Sequence, residues 1–189
     1  HSPIAFSPDG RLLLAATAEY ETAIWELSSG EQVCVLPGAG WLANFSHDSA
    51  RVVAAFDDLT TVGVFDASSG RRLKDSKSPD LLVAVGFDHR NGVVAVEIDD
   101  WDQTLRTLLW NLEAESLSHA TPWMPIRDID AGISLCADST ALAVATEDGV
   151  SVHAARDLMT IRKLPRTAGW RSPAALSADG TWVAFSDAV

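Results

Sequence analysis

The chain has 189 residues, of which 47% are hydrophobic and 21% charged, and these proportions predict a folded globular domain rather than a disordered segment. Its 14 Lys and Arg residues against 26 Asp and Glu residues give a net charge of −12. This charge argues against nucleic acid and against an anionic membrane as partners, because both are bound through basic surfaces.

The first repeated unit occupies residues 4–36 and has a hydrophobic period of 2, which predicts β-strands. Two apolar runs flank the turn Ser7-Pro8-Asp9-Gly10. A third run at 23–27 is followed by the turn Ser28-Ser29-Gly30, and a fourth run at 31–36 leaves that turn. The unit therefore predicts four short antiparallel strands joined by tight turns.

The same unit recurs along the chain, each time with a large apolar residue at the end of its first strand. These anchors are spaced 39, 42, 48 and 41 residues apart and are Phe6, Phe45, Phe87, Leu135 and Leu176. A period of about 40–45 residues with four strands is that of a β-propeller blade, since a single sheet must bury both faces against neighbours. The prediction is an all-β propeller region with about four and a half blades, at 3–37, 41–75, 81–119, 129–164 and 170–187.

In these motifs the chain resembles the WD40 repeat family. The resemblance lies in the strand and turn at 6–10, in Ile24-Trp25-Glu26-Leu27, and in the turn at 28–31. The usual Gly-His pair is replaced by residues 38–41, and the usual Trp-Asp pair becomes Trp25-Glu26, Phe65-Asp66, Trp110-Asn111 and His153-Ala154. The related PD40/TolB-type repeat is the near alternative, because residues 178–185 resemble it, and it implies the same architecture.

The resemblance to WD40 proteins implies a seven-bladed ring, of which this chain would hold only an arc. An open arc leaves strand edges and apolar blade faces in water. Both ends of the sequence also read as cut from something longer. The missing blades are therefore expected from the rest of a parent protein or from a second chain.

Residue patterns for chemistry are scarce. The histidines form no metal-ligand spacing, no GxSxG nucleophile elbow or phosphate-binding glycine motif occurs, and the two cysteines form no CxxC pair. The prediction is a protein with no catalytic residue, no metal site and no cofactor. Cys34 and Cys136 lie in apolar runs and are expected to be buried free thiols, which fits the cytoplasm. His153 takes the position of Trp25 and Trp110, so it is expected to pack in the interior.

The densest acidic stretch is residues 97–102, between the second and third strands of the third unit. It lacks the alternating aspartates and the glycine of a calcium loop. The prediction is a solvated loop, and the alternative is a cation site or an acidic docking patch.

Three tryptophans are the candidate binding residues. Trp41 and Trp170 each follow a glycine near the start of a unit, and Trp123 lies in the segment 117–130, whose prolines predict no regular strand pairing. Trp41 and Trp170 would lie near the entry of the first strand of a blade, the rim where partners commonly dock in WD40 proteins, and Trp is frequent in interface hot spots. Trp123 is a candidate because loops that carry large apolar residues often take part in interactions. The alternatives are that Trp41 and Trp170 fill gaps between neighbouring blades and that Trp123 folds back over a blade edge.

These features together predict a protein-interaction or ligand-sensing scaffold with a protein partner, forming the propeller region of a larger protein such as a regulatory one. One alternative is the propeller portion of a PD40-type hydrolase whose catalytic residues lie outside this chain. Another is a structural propeller that only holds subunits together.

Overall fold

A computed structural model describes residues 4–17, 21–88, 90, 92–99, 101–111, 116–125, 133–136, 139–146, 149–165, 175–177 and 181–184. The regular elements among them are all strands, so the predicted all-β class is confirmed. They form four antiparallel sheets, each of four consecutive strands with a short fifth strand added to the third sheet, and one two-stranded hairpin. Within these ranges no helix is long and apolar enough to cross a membrane.

Each sheet is built from strands that follow one another in the chain. Sheet 1 contains β1 (Ile4–Phe6), β2 (Leu12–Ala16), β3 (Thr22–Glu26) and β4 (Gln32–Leu36). Sheet 2 contains β5 (Ala39–Phe45), β6 (Arg51–Phe56), β7 (Thr61–Asp66) and β8 (Arg72–Lys77). Sheet 3 contains β9 (Leu81–Phe87), β10 (Val93–Asp99), β11 (Thr104–Asn111) and β12 (Ser116–Ala120), and β13 (Met124–Pro125) pairs with β11 at its edge. Sheet 4 contains β14 (Ile133–Leu135), β15 (Ala141–Thr146), β16 (Gly149–Ala154) and β17 (Thr160–Pro165), and the last hairpin contains β18 (Ala175–Leu176) and β19 (Val183–Ala184).

A serine and an aspartate two residues later close the first turn of sheets 1 and 2. The Ser7 hydroxyl donates to Asp9 at 2.6 Å and accepts from the Leu12 amide at 2.8 Å. Ser46 repeats this pattern with Asp48 at 2.6 Å and the amide of Arg51 at 2.9 Å. These hydrogen bonds lower the pKa of both aspartates, because they favour the ionised form. The side chains thus satisfy turn groups that no strand ladder reaches.

Alternate residues of each inner strand face opposite neighbours, so both faces are buried and a run such as residues 51–56 is apolar over most of its length. In β6, Val53 and Ala55 belong to the core shared with sheet 3, whereas Val52 and Ala54 belong to the core shared with sheet 1. A further core joins sheets 3 and 4, and smaller clusters join sheet 4 to the last hairpin. The sheets therefore pack face to face in chain order.

The first strands of successive sheets are in contact, in the series β1 to β5, β5 to β9, β9 to β14 and β14 to β18. The anchor residues lie on these strands. Phe45 is 2% exposed in the core between sheets 1 and 2, and Phe87 is equally well buried between sheets 2 and 3. Phe6, the anchor of sheet 1, is 62% exposed. Burial of an anchor thus depends on the sheet that precedes its own.

The prediction that residues 117–130 contain no regular pairing is wrong for the described part of that segment. Residues 116–120 form β12, and Met124 and Pro125 pair with Leu105 and Thr104 of β11. Pro125 is tolerated because it lies at an edge, where its missing N–H removes no ladder hydrogen bond from a central strand.

Candidate functional site

The three predicted binding residues are described to different extents. Trp41 lies in β5, but its side chain is outside the described set, and Trp170 falls outside the described residues altogether. Trp123 directly precedes β13 and is 36% exposed. The surroundings of Trp123 are therefore the part of the predicted site whose geometry can be followed.

A buried ion pair lies next to Trp123. The register of β10 and β11 places Glu97 opposite Arg106, and the Arg106 Nε donates to Glu97 Oε2 at 2.6 Å. Glu97 is 0% exposed, so the prediction of a solvated loop at 97–102 is wrong for this residue. The reason is that β10 continues to Asp99, which keeps Glu97 in the ladder and directs its carboxylate into the interior.

The segment between sheets 2 and 3 supplies the other partners of this pair. The Ser78 hydroxyl donates to Glu97 Oε1, and Arg106 Nη2 lies 3.5 Å from Asp80 Oδ2. Burial raises the pKa of Glu97, and the hydrogen bond and charge of Arg106 only partly oppose that shift. Arg106 therefore forms ion pairs with two carboxylates, the buried one of Glu97 and the one of Asp80 at the surface.

Arg106 also supports Trp123. Its guanidinium carbon lies 4.4 Å from the centroid of the Trp123 ring, within the range of a cation–π interaction. The neighbouring Met124 packs against the core between sheets 3 and 4. Met124 thus packs on the core, while the Trp123 ring lies partly exposed against the Arg106 guanidinium.

A second tryptophan lies at the same end of sheet 3. Trp101 is 94% exposed in the turn between β10 and β11, next to the Thr104–Pro125 pairing that joins β13 to the sheet. The Asp99 carboxylate accepts from the amides of Trp101 at 3.0 Å and Asp102 at 3.1 Å. The acidic pattern of residues 97–102 predicted a loop there and did not distinguish Trp101. The sequence did contain a signal: Trp101 is far in sequence from every anchor residue of the repeat, so it is not expected in the core.

The two histidines whose side chains are described, His47 and His153, do not belong to the group formed by Glu97, Arg106 and Trp123. His153 is buried, its Nδ1 lies 3.0 Å from the Leu158 carbonyl and its Nε2 lies 2.7 Å from the Ser151 hydroxyl. Burial lowers its pKa, which keeps the ring neutral at physiological pH. The expectation that His153 packs in the interior is confirmed. His47 is exposed in the first turn of sheet 2.

The groups around Arg106 differ in their accessibility. Ser78 and Glu97 are buried and bonded to each other, so they offer nothing to an incoming molecule, whereas the rings of Trp101 and Trp123 and the carboxylate of Asp80 reach the surface. Among the described residues, no three His, Cys, Asp or Glu side chains come together as a metal site would require. No protein-family model and no curated protein matches the chain.

Proposed function

We propose that the chain is a β-propeller region that acts as a protein-interaction scaffold in the cytoplasm. Support for the propeller comes from the order of packing: consecutive sheets stack face to face, and their first strands are the ones in contact. Blades of a propeller are arranged in this way, with their first strands nearest the axis. The repeat spacing and the resemblance to WD40 proteins point in the same direction.

The exposed anchor of sheet 1 supports an arc that continues beyond the blades of this chain. Phe6 stands in its sheet where the buried Phe45 and Phe87 stand in theirs, and Ile4 on the same strand is also exposed. A contiguous apolar face of this kind is normally covered. We propose that further blades cover it, supplied by the rest of a longer parent protein or by a second chain, in a ring of seven.

The partner-binding surface in this proposal is the end of sheet 3 that carries Trp123. One observation carries it: the Trp123 ring is held on Arg106, which is itself held by the buried Glu97. An aromatic ring fixed before binding loses little conformational freedom when a partner covers it, and such rings are frequent hot spots. Trp41 and Trp170 remain candidates for the same function.

The experiment is a selection of random displayed peptides on the 189-residue chain, followed by affinity measurements on variants. Trp123→Ala should weaken the enriched peptides by about tenfold. Trp182→Ala is the matched control, because Trp182 is 77% exposed on the last hairpin. Hydrogen exchange should show protection by the peptides at residues 99–106 and 121–125. Equal affinity for wild type and Trp123→Ala, with protection elsewhere, would contradict the proposal.

A further inference from the structure

Trp101 is the most exposed of the large apolar side chains in the described chain, at 94%. An isolated exposed apolar residue is ordinary on a protein surface. Trp101 differs in its position, because it lies at the tip of the hairpin between β10 and β11, at the end of sheet 3 where β13 pairs with β11, and no described residue of that sheet covers it.

The turn that carries Trp101 is held rigidly. The ladder between β10 and β11 is continuous up to the pair Asp99 and Thr104, and the Asp99 carboxylate accepts two turn amides. Gln103 completes the turn in the left-handed region, with φ of 50°. The backbone of such a turn requires little ordering when a partner buries the ring that it carries.

The charges around Trp101 define the kind of partner. Asp99 and Asp102 flank it, and the equivalent turn of sheet 2 carries the exposed Asp57 and Asp58. Hydrogen bonds from Thr60 and Thr61 strongly lower the pKa of Asp58, so this carboxylate stays ionised. With a net charge of −12 over the chain, this end of the molecule attracts cationic surfaces and repels anionic ones.

We propose that Trp101 is the anchor of the interaction surface and inserts into an apolar pocket of a protein partner whose pocket rim carries Lys or Arg. This inference rests on the interaction function proposed above, to which it adds an anchor residue and the charge of the partner. Burial of the indole provides affinity, and the carboxylates orient the partner and speed association.

The test uses the peptides enriched from the random library on the wild-type chain. These peptides should carry a net positive charge and at least one large apolar residue. Trp101→Ala should weaken their binding by about tenfold, and Trp182→Ala should leave it within about twofold of wild type. Because both side chains are exposed, neither change should affect folding, which a thermal melt checks.

A matched pair of charge removals tests the second half of the inference. Asp102→Asn should weaken binding by about threefold and reduce its dependence on salt between about 50 and 300 mM. Asp157→Asn removes the same charge from an exposed turn of sheet 4 and should change neither quantity.

The outcomes separate this inference from the proposed function. Peptides that require Trp123 but bind the Trp101→Ala variant normally would overturn the inference and leave the interaction function standing. Peptides that require neither residue, or a library that enriches none, would overturn both. Neutral or acidic peptides would overturn the inference, as would Trp101-dependent binding to phosphatidylcholine vesicles in place of peptides.

Discussion

The guanidinium of Arg106 lies 4.4 Å over the ring of Trp123. The same guanidinium donates to the buried Glu97, so one cation connects an interior carboxylate to a surface ring. The position of the Trp123 ring therefore depends on the charges of Arg106 and Glu97, which lie below it. Changes at Glu97 or Arg106 should affect both the stability of sheet 3 and the presentation of the proposed binding ring.

Arg106→Ala should lower the free energy of unfolding at neutral pH by about 3 kcal/mol, because it leaves the Glu97 carboxylate buried without its cation. Urea denaturation measures this loss. Arg72→Ala is the matched control, since Arg72 also forms an ion pair, 3.7 Å from Asp75, and lies 5.5 Å from the centroid of the Phe56 ring, but at an exposed position. It should cost less than about 1 kcal/mol. Equal losses in the two variants would mean that burial of Glu97 contributes nothing.

The stability of the wild type relative to Glu97→Gln should fall as the pH rises from acid towards neutrality. Burial raises the pKa of Glu97 in the folded chain above its unfolded value. The stabilisation from protonation is then fully present below the unfolded pKa, about 4.3, and is lost as the pH rises through the folded pKa. Asp80 and Arg106 are the charged groups that act on Glu97 and are present in both proteins. Urea denaturation of both proteins across this pH range gives the difference, and a difference that grows with pH would contradict the prediction.

Phe45→Ala should destabilise the chain by about 3–4 kcal/mol, because Phe45 is fully packed between sheets 1 and 2. Phe6→Ala, at the equivalent repeat position, should cost less than about 1 kcal/mol because the ring is largely in water already. Denaturant unfolding of the two variants tests this difference. In an assembly where a further blade covers β1, Phe6→Ala should become as costly as Phe45→Ala. Equal costs in the 189-residue chain alone would contradict the proposed open face of sheet 1.

Ser49 and Ser139 occupy equivalent turns with left-handed backbone, at φ of 61° and 53°. The Ser49 hydroxyl accepts from the Asp9 amide of the neighbouring sheet at 3.2 Å, whereas the buried Ser139 hydroxyl has no hydrogen-bond partner among the described residues. Ser49→Ala should therefore cost about 1 kcal/mol, and Ser139→Ala should be neutral or slightly stabilising. Thermal unfolding of the two alanine variants compares them directly. A larger loss for Ser139→Ala would show that its hydroxyl has a role that the turn geometry does not reveal.

The residue types in the tight turns made the fold predictable from the sequence. Ser7 and Asp9 after the anchor of the first unit recur as Ser46 and Asp48 in the second, and a left-handed residue follows each pair, so this motif marks a hairpin. Together with short apolar runs such as residues 51–56, it predicts antiparallel four-stranded sheets, and these are confirmed. These signals come from residues within about ten positions of one another, so they can be recognised in a single sequence.

The ion pair at the candidate site was missed because it depends on where β10 ends. Residues 97–102 are so acidic that they resemble a solvated loop, yet the turn itself occupies only the residues between Asp99 and Thr104. A charge pattern symmetric about that turn, with Glu97 and Arg106 at equal distances from its centre, was the signal. The contact of Arg106 with Trp123 could not be predicted, since it depends on the path of the chain beyond β12.

Apart from the short β13, every strand in the described ranges pairs only with strands adjacent to it in the sequence of its own sheet. The chain passes from one sheet to the next by a single connection, such as residues 37–38 between β4 and β5. Adding or deleting one complete sheet therefore breaks no backbone ladder in the others. Duplication of the stretch of coding sequence for one sheet would lengthen the molecule by a whole unit that repeats the same nearest-neighbour contacts.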